Sequence, residues 1–339
     1  MQKRNRIWTV FTVAMALALV LTAFLYLGIA RNGALAKERT EGGRSILLIG
    51  TDEVAQNTDT LLLLWMNERT NTLSLLQIPR DTFVFHEGQE GKINGIYARE
   101  AAKRGERAAA EALTASLSSL LGLSIDRYAV FDAEATASLV DILGGVSVPV
   151  PFPMEYKDEA QGLTISLKEG QQTLSGEEAV GFLRFRQGYL DGDLGRLDTQ
   201  MIFLSALAER LETPPKFKEC LTIYQKIAPK VLTNLTEKDI IFFVTEYLGA
   251  KNAPTLFFAR LAGEGYRDSE GISYFVVNKQ ANERLLRERF SSLQSGAFDE
   301  KRRLVREGDD TMLHVYEDKN ASYRVYTRED IKEIHIRRR

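Results

Sequence analysis

Between Arg44 and Pro79 the chain alternates continuous apolar runs with short polar turns. The runs are RSILLIGTD, TLLLLWMN and TLSLLQIP. Strands that are buried on both faces of a sheet give such runs, whereas half-exposed strands alternate apolar and polar residues. The pattern therefore predicts three buried strands that follow one another closely in the sequence.

Later segments alternate helical spacing with strand-like runs. We predict helices at residues 98–121, in ATASLVDILGG with a stop at its glycines, in SGEEAVGFLRF with a capping pattern, in DTQMIFLSALAERLE, twice within residues 218–250, and in QANERLLRERF. YAVFDAE, LFFARLAG and GISYFVVN predict strands, and residues 147–175, with three of the eight prolines, predict an irregular excursion with short strands. This alternation predicts an α/β fold in which a mixed central sheet is covered by helices on both faces.

The N-terminus combines a basic flank with a long uncharged segment. Lys3, Arg4 and Arg6 precede 23 residues, 8–30, that carry no charge. At ~1.5 Å per residue such a helix spans roughly 30 Å of hydrocarbon. We therefore predict one transmembrane anchor with its N-terminus in the cytoplasm and the rest of the chain outside. A cleaved signal peptide is the alternative, because Ala34-Leu35-Ala36 resembles a cleavage site.

Composition along the chain predicts its segments and disfavours some classes of partner. We predict a cytoplasmic N-terminus at 1–7, a tether at 31–43, a domain at 44–290 and a charged extension of unknown role at 291–339. The formal net charge of -2 gives no general attraction to DNA or RNA, so a nucleic-acid partner is disfavoured. The single cysteine, Cys220, excludes a disulfide bond within the chain.

Two aspartates lie at the ends of the first two predicted strands. Asp52 follows the first strand and Asp59 begins the second, within IGTDEVAQNTDT. A short connection between neighbouring strands brings these carboxylates close together. Paired carboxylates without His or Cys favour a hard cation such as Mg²⁺ or Mn²⁺. Aspartate is also common in turns, so a simple turn role is the alternative.

Charged residues also follow the third strand. Arg80 and Asp81 come directly after Pro79, and Lys92 and Asn94 lie in the glycine-flanked segment GKINGIY. Ligands of open α/β sheets bind where strands end, so these side chains are candidates for a ligand site. Solvated loop residues are the alternative.

The segment LRFRQGYLDGDLGRLDTQ concentrates arginines, aspartates and glycines. Arg184 and Arg186 point the same way on an extended backbone and to different faces on a helix. Arg196 and Gln200 are four residues apart, on one face of a helix. Arginine binds phosphate oxygens through its planar fork, so these arginines and Arg80 predict a pyrophosphate pocket. A salt-bridged surface loop is the alternative.

Seven short motifs occur in one order along the chain. They are GTD, TDT, IPRD, KIN, VDILGGV, LSGEEAVGFLRFR and GDLGR, the last followed by Gln200 four residues beyond its arginine. By these motifs the chain resembles the LytR-CpsA-Psr family of bacterial cell-wall enzymes over about residues 45–278. Members of that family carry one N-terminal transmembrane helix and a large extracytoplasmic α/β domain.

The resemblance implies a phosphotransferase. Such proteins transfer a glycopolymer (teichoic acid, capsule or another wall polysaccharide) from an undecaprenyl-pyrophosphate carrier to a peptidoglycan hydroxyl, through a phosphodiester. The implied partners are the polyprenyl-pyrophosphate-linked glycopolymer, the peptidoglycan acceptor and the cell membrane. The implied cofactor is Mg²⁺ or Mn²⁺, and the lipid tail would lie in an apolar tunnel between sheet and helices.

The family pattern also implies roles for individual residues. Asp52 and Asp59 match acidic residues associated with the metal. Asp81 and Asp193 are both candidates for the base that accepts the proton of the attacking hydroxyl. The implied catalytic residues are Arg80, Asp81, Arg184, Arg186, Asp193 and Arg196, and the implied substrate-binding residues are Arg80, Lys92, Asn94, Arg184, Arg186, Arg196 and Gln200.

One departure from the family pattern puts the activity in question. The family often has GRxxRQ, whereas this chain has GRLDTQ, with Thr199 in place of the second arginine and Asp198 before it. This difference predicts a weaker or altered activity. Two other functions therefore stay open. One is hydrolysis of the lipid pyrophosphate, and the other is a non-catalytic envelope protein that binds lipid-linked precursors.

Overall fold

The computed structural model describes residues 43–51, 58–158, 163–190, 193–212, 222–223, 225–236, 239, 242, 254–268, 270–290, 304–306, 309–313, 321–334 and 336. The predicted anchor at 8–30, Asp52 and most of the two helices predicted within 218–250 lie outside the described residues. Within the described ranges, no helix has both the length and the apolar character needed to cross a membrane.

The strands are β1 (Arg44–Thr51), β2 (Thr58–Asn67), β3 (Thr72–Ile78), β4 (Phe83–His86), β5 (Gln89–Lys92), β6 (Tyr128–Phe131), β7 (Val146–Val150), β8 (Met154–Asp158), β9 (Leu163–Leu167), β10 (Gly170–Leu174), β11 (Leu232–Thr233), β12 (Thr255–Arg260), β13 (Gly263–Arg267), β14 (Ser273–Val277), β15 (Leu304–Arg306), β16 (Asp309–Leu313) and β17 (Val325–Tyr326). The helices are α1 (Asn94–Arg104), α2 (Glu106–Leu121), α3 (Ala133–Ile142), α4 (Gly176–Arg184), α5 (Asp193–Glu212), α6 (Lys279–Arg289) and α7 (Arg328–Lys332).

A mixed seven-stranded sheet forms the centre of the fold, in the order β11-β6-β1-β2-β3-β12-β17. β1, β2 and β3 are antiparallel neighbours, while β6 runs parallel to β1 and β12 parallel to β3. Every residue of β2 except Asn67 is buried, which confirms the strands predicted from continuous apolar runs. As a result the C-terminal ends of β1, β3, β6 and β12 all lie on the same side of the sheet, and this rim of strand ends is called an edge below.

Helices pack on both faces of this sheet. Alternate residues of β1 belong to different cores, with Leu48 on one face and Leu47 on the other, because successive strand side chains point to opposite faces. The first core contains buried side chains of α3, α4 and α5, and the second contains those of α1, α2 and α6. The predicted α/β class with a mixed sheet is therefore confirmed.

The helix predicted at 98–121 is wrong as one continuous element. It begins earlier, at Asn94, and divides into α1 and α2 at Gly105, whose φ is 87°. A residue in that region of φ cannot continue a right-handed helix, and glycine adopts it without a steric penalty. Helical spacing alone did not reveal this break.

Residues 146–174 are more regular than the predicted irregular excursion. β7 pairs with β10, and β8 pairs with β9, so that two strand pairs are nested between α3 and α4. α4 then begins with a capping box of Ser175 and Glu178, as its sequence pattern predicts. Its first residue, Gly176, lies so close to α3 that an added Cβ would come within 2.2 Å of the Ala137 carbonyl oxygen.

The predicted charged extension at 291–339 includes a segment that returns to the core. β17 pairs with β12 at the edge of the central sheet. Ile331 of α7 is buried in the same core as α5. Residues 321–334 thus take part in the packing of the α/β fold.

Candidate functional site

The edge where β1, β3 and β12 end carries a cluster of charged side chains. Asp59 near the start of β2 belongs to this edge, because β1 and β2 are antiparallel and Gly50 pairs with Thr60. Arg80 follows β3 by two residues, and Arg260 is the last residue of β12. Gln77 and Arg260 face each other in the register of the two parallel strands.

Asp59 binds two arginines at this edge. Arg80 Nη1 donates to its Oδ1 at 2.5 Å, and Arg186 Nη2 lies 3.3 Å from Oδ1 and 3.4 Å from Oδ2. The Asp59 side chain is 5% exposed, whereas those of Arg80 and Arg186 are 20% and 45% exposed. Among the described residues this cluster joins one carboxylate to two guanidinium groups, and Arg186 brings it to the solvent. Such a cluster favours an anion with several oxygens.

Hydrogen bonds fix the turn that carries Arg80 and Asp81. Thr82 is fully buried, and its Oγ1 donates to the Pro79 carbonyl oxygen at 2.5 Å. The backbone N–H of Asn94 donates to the Arg80 carbonyl oxygen at 3.2 Å, and that of Phe275 to the Asp81 carbonyl oxygen at 2.8 Å. The backbone on both sides of the Arg80 guanidinium is therefore held before any ligand arrives.

Lys92 and Asp81 form an ion pair beside this turn. Lys92 Nζ lies 3.2 Å from Asp81 Oδ1, and both side chains are about one quarter exposed. The same ammonium lies 5.9 Å from the centre of the Tyr274 ring. Lys92 is thus oriented by two groups, which argues against a freely solvated loop lysine.

The first turns of α5 bury two of the predicted residues. Arg196 is fully buried and Gln200 is 1% exposed, one helical turn apart, as their spacing predicts. Gln77 Nε2 donates to the Leu197 carbonyl oxygen at 3.1 Å and to Gln200 Oε1 at 3.0 Å. The interior of β3 thereby fixes the side-chain amide of Gln200.

Thr199 contacts the protein interior. It is fully buried, its Oγ1 lies 2.9 Å from the Tyr189 hydroxyl, and it also donates to the Gly195 carbonyl oxygen at 3.1 Å. Burial raises the pKa of Tyr189 to about 12, so its hydroxyl stays protonated and donates to Thr199 at neutral pH. Gly195 permits this contact, because an added Cβ would lie 2.8 Å from Tyr189 Cβ.

Asp198 is paired as well. Arg260 Nη1 donates to Asp198 Oδ1 at 3.0 Å, with about one quarter of each side chain exposed. Leu197, Asp198 and Thr199 are therefore held by three different elements of the fold. This arrangement sets the rotation of α5 about its axis and hence the position of Arg196.

The structure gives fewer contacts for Arg184, Asp193 and Asp52 than for the other predicted site residues. α4 ends at Arg184, so Arg184 lies on the helix and Arg186 just beyond its end, and the structure shows neither both on a helix nor both on one extended segment. Arg184 is half-buried. Asp193 begins α5, with its side chain outside the described atoms, and Asp52 lies outside the described residues.

Two site residues were not predicted from the sequence. Gln77 is a single amide near the end of an otherwise apolar strand, TLSLLQIP, and Arg260 ends LFFAR just before the next turn. A polar residue in a run that is buried on both faces needs a specific partner, which is the signal that could have identified Gln77. Arg260 could have been found by noting that β12 ends in the same way as β3.

Comparison with known proteins supports the pattern of motifs. The family model described as "LytR_cpsA_psr family" matches residues 29–290. The chain is 30% identical over 201 residues to the polyisoprenyl-teichoic acid–peptidoglycan teichoic acid transferase TagV of Bacillus subtilis (strain 168), covering 56% of this chain but only 49%, about half, of that protein. It is 26% identical over 255 residues to TagU of the same organism, a transferase of the same description, covering 74% of this chain and 78% of that one. The crystal structure of B. subtilis TagV superimposes with a TM-score of 0.60 at 25% identity, over 76% of this chain and 100% of that one.

Proposed function

The chain belongs to the LytR-CpsA-Psr family, and on that premise we propose that it is an extracytoplasmic phosphotransferase of the bacterial cell wall. It attaches a glycopolymer from an undecaprenyl-pyrophosphate carrier to peptidoglycan through a phosphodiester. The names of the relatives support teichoic acid as the polymer, polyisoprenyl-linked in the donor, and peptidoglycan as the acceptor. Other wall polysaccharides remain substrates of the same chemical class.

The observation that carries this proposal is the pair of arginines on Asp59. Asp59 holds both guanidinium groups at the end of the sheet where β1 and β3 end, and Arg186 is 45% exposed there. A guanidinium is a planar fork of donors that suits the oxygens of a pyrophosphate. Arg184, Arg196 and Gln200 complete the proposed substrate-binding group on the side of α4 and α5, and Lys92 and Asn94 complete it beyond the turn at Arg80.

The reaction needs positioning and charge stabilisation more than covalent help from the protein. The acceptor hydroxyl oxygen forms a bond to the phosphorus that carries the glycopolymer. The bond from that phosphorus to the bridging oxygen breaks, and polyprenyl phosphate leaves. Arg80 and Arg186 stabilise the charge that develops on the leaving oxygen, and removal of one such donor typically costs ~10²–10³ in rate.

Mg²⁺ is the cofactor that we propose for this reaction. Magnesium is usually held by one or two carboxylates together with water and substrate phosphates. Asp59 provides one carboxylate at the site, and Asp52 is the second proposed ligand. A bound Mg²⁺ (or Mn²⁺) would supply additional positive charge at the phosphates.

The proton of the attacking hydroxyl needs an acceptor. Asp81 and Asp193 are both candidates, and the contact with Lys92 at 3.2 Å would orient the Asp81 carboxylate. Replacement of each by Asn separates them. The variant that loses turnover while still binding the lipid carrier identifies the base.

The anchor and the position of the lipid belong to this proposal too. Residues 8–30 hold the protein in the cell membrane, with residues 44–290 outside as the catalytic domain. A cavity of about 420 Å³ lies farther along α5, but Ser147, Gln171, Ser205, Glu209 and Lys332 contribute to its wall. Pro149, Ile202, Ala206 and Ile331 make the rest of the wall apolar, but the charged Glu209 and Lys332 do not suit a polyprenyl chain, so we do not assign the lipid to that cavity.

The test is a transfer assay with the full-length protein in detergent. A labelled saccharide on a polyprenyl-pyrophosphate carrier is incubated with and without peptidoglycan and with and without Mg²⁺. We expect label on peptidoglycan with wild type, about 10²–10³-fold less with Arg80→Ala, and no change with Arg69→Ala. Arg69 is a matched control, because it is an exposed arginine in the turn between β2 and β3 at the opposite edge of the sheet.

Each alternative function has its own result. Release of label at the same rate without peptidoglycan would replace the transferase by a pyrophosphate hydrolase. Tight binding of the carrier without turnover would replace it by a binding protein, with Thr199 as the first residue to investigate. Equal turnover by wild type and Arg80→Ala would refute the arginine site.

A further inference from the structure

Three potential metal ligands form a cluster outside the site described above. His86 ends β4, Glu87 follows it in the hairpin turn, and Glu100 lies on α1. One ligand atom from each residue lies within 4.8 Å of the other two. The proposed phosphotransferase reaction uses none of these residues.

The imidazole of His86 has one nitrogen in a hydrogen bond and one without. Nδ1 lies 2.7 Å from Ser116 Oγ. Nε2 is buried, has no hydrogen-bond partner among the described residues, and lies 3.9 Å from Glu100 Oε1. This separation is too long for a hydrogen bond. Two atoms that both bind one Zn²⁺ ion at ~2.0–2.2 Å must lie within about 4.2 Å of each other, and the separation of 3.9 Å meets this condition.

A cation already lies between the two carboxylates. Lys103 Nζ is 3.2 Å from Glu100 Oε1 and 3.8 Å from Glu87 Oε2. The Lys103 side chain is 56% exposed, so it can move into solvent without losing buried contacts. Arg104 contacts the other oxygen of each carboxylate, Glu100 Oε2 through Nε at 2.8 Å and Glu87 Oε1 through Nη2 at 3.4 Å, and can stay there. Departure of one lysine thus leaves Glu100 Oε1, Glu87 and His86 Nε2 around one position.

We propose that His86 Nε2, Glu100 Oε1 and the Glu87 carboxylate bind one divalent transition-metal ion, Zn²⁺ or an ion of similar preference. Lys103 occupies its place in the metal-free protein. The mixed nitrogen and oxygen ligands favour such an ion over Mg²⁺, which prefers oxygen alone. Three protein ligands with a fourth position for water is a common zinc arrangement. Ser116 supplies the hydrogen bond that usually orients a metal-bound histidine through its other nitrogen.

A metal bound here would join the hairpin of β4 and β5 to α1. That hairpin ends at Lys92, beside Asp81, so the metal would stabilise a segment next to the phosphate site. The metal proposal does not depend on the proposed function.

The test is direct Zn²⁺ binding to the full-length protein after treatment with EDTA, measured by calorimetry and by thermal unfolding. We expect one saturable site that raises the melting temperature and that Mg²⁺ does not occupy. His86→Gln should lower the affinity by at least about 100-fold, and Ser116→Ala by about 10–100-fold. Glu87→Gln should lower it at least tenfold; Glu87 is half exposed, so this variant should fold normally.

Lys103→Met gives the sharpest result. Because it removes the competing ammonium, it should increase Zn²⁺ affinity, whereas a purely structural ion-pair network would only lose stability. Glu90→Gln, on the same hairpin but outside the cluster, is the matched control and should leave binding unchanged. The proposal is overturned if His86→Gln and Glu87→Gln both keep the affinity of wild type, or if Lys103→Met lowers the melting temperature with no gain in binding.

Discussion

Two buried aspartates each bind two arginines, at opposite ends of the central sheet. Asp59 binds Arg80 and Arg186 at the edge where β1 ends. Asp239 binds Arg127 and also Arg44, the first residue of β1. The eight residues of β1 separate the two clusters by roughly 23 Å, at about 3.3 Å per residue. The clusters have the same composition, so their differences show what distinguishes a structural ion cluster from a ligand site.

The cluster at Asp239 is saturated from within the protein. Asp239 also accepts hydrogen bonds from the backbone N–H and the hydroxyl of Thr236, at 2.9 and 2.6 Å, and the Arg44 guanidinium stacks 4.8 Å from the centre of the Phe242 ring. The contact of Arg186 with Asp59, by comparison, is long at 3.3 Å, and Arg186 is 45% exposed. The difference therefore lies in how tightly each carboxylate is held and in Arg186, which is 45% exposed, whereas Arg127 is 33% exposed and Arg44 and Arg80 are each 20% exposed.

The largest expected effect is on stability, at Asp239. Asp239→Asn removes the negative charge from two arginines in a partly buried cluster and should lower the free energy of unfolding by about 3–5 kcal/mol. Urea denaturation checks this value. Transfer activity per folded molecule should stay close to wild type, because the cluster lies at the other end of the sheet.

This loss should depend on pH. Burial alone would raise the pKa of Asp239, but hydrogen bonds from Thr236 and Arg127 outweigh it and lower the pKa below its ordinary value of 3.8. A carboxylate with a lowered folded-state pKa stabilises the fold above pH 3.8, and the contribution is lost as the pH falls through the folded-state value. The difference between wild type and Asp239→Asn should therefore shrink below that pH. A constant difference down to pH 2 would contradict the assignment.

The next effect is on activity, at Arg186. Arg186→Ala should lower transfer by about 10²–10³-fold, because it removes a donor to the developing charge. Its stability should change by less than about 1 kcal/mol, as for an exposed ion pair. Arg127→Ala is the matched control and should give the opposite pattern, with lower stability and normal transfer. If both variants behave alike, the distinction between the two clusters fails.

A smaller effect is expected at Gln77, which carries no charge. Gln77→Leu leaves Gln200 Oε1 and the Leu197 carbonyl oxygen without their donor, a change of about 1–3 kcal/mol. We expect a corresponding rise of about 5–150-fold in KM for the lipid carrier with a smaller change in kcat, since Gln77 positions Gln200. Gln172→Leu on β10 is the control. An unchanged KM would show that the Gln200 amide needs no support from β3.

The smallest effect is expected at Tyr189. Tyr189→Phe removes one buried hydrogen bond to Thr199 and should cost about 0.5–1.5 kcal/mol of stability, measured by thermal unfolding. If transfer activity falls by more than the factor that corresponds to about 1.5 kcal/mol, the Tyr189–Thr199 contact is the main one that sets the orientation of α5. The restraints from Gln77 and Arg260 would then be secondary.

Sequence reasoning predicted the parts of the molecule that follow from local pattern. The apolar runs of β1 to β3 and the helical spacing of Arg196 and Gln200 were both confirmed. Sequence could not predict contacts between distant elements, such as Gln77 with α5 or Arg260 with Asp198, because they depend on which strands become neighbours. It also took Thr199 as a lost ligand contact, whereas the structure shows a residue that is committed to Tyr189.

The return of residues 321–334 to the sheet has a consequence for solubility. β17 pairs with Phe258 and Ala259 of β12, so it shields part of what would otherwise be the last strand of the sheet. The match to the family ends at residue 290, which makes that position a natural place to truncate the protein. A truncated protein would expose the backbone N–H and C=O groups of β12 to other chains, and such unprotected edges promote aggregation. Residues 321–334 would then protect the protein against self-association, whatever other role they serve.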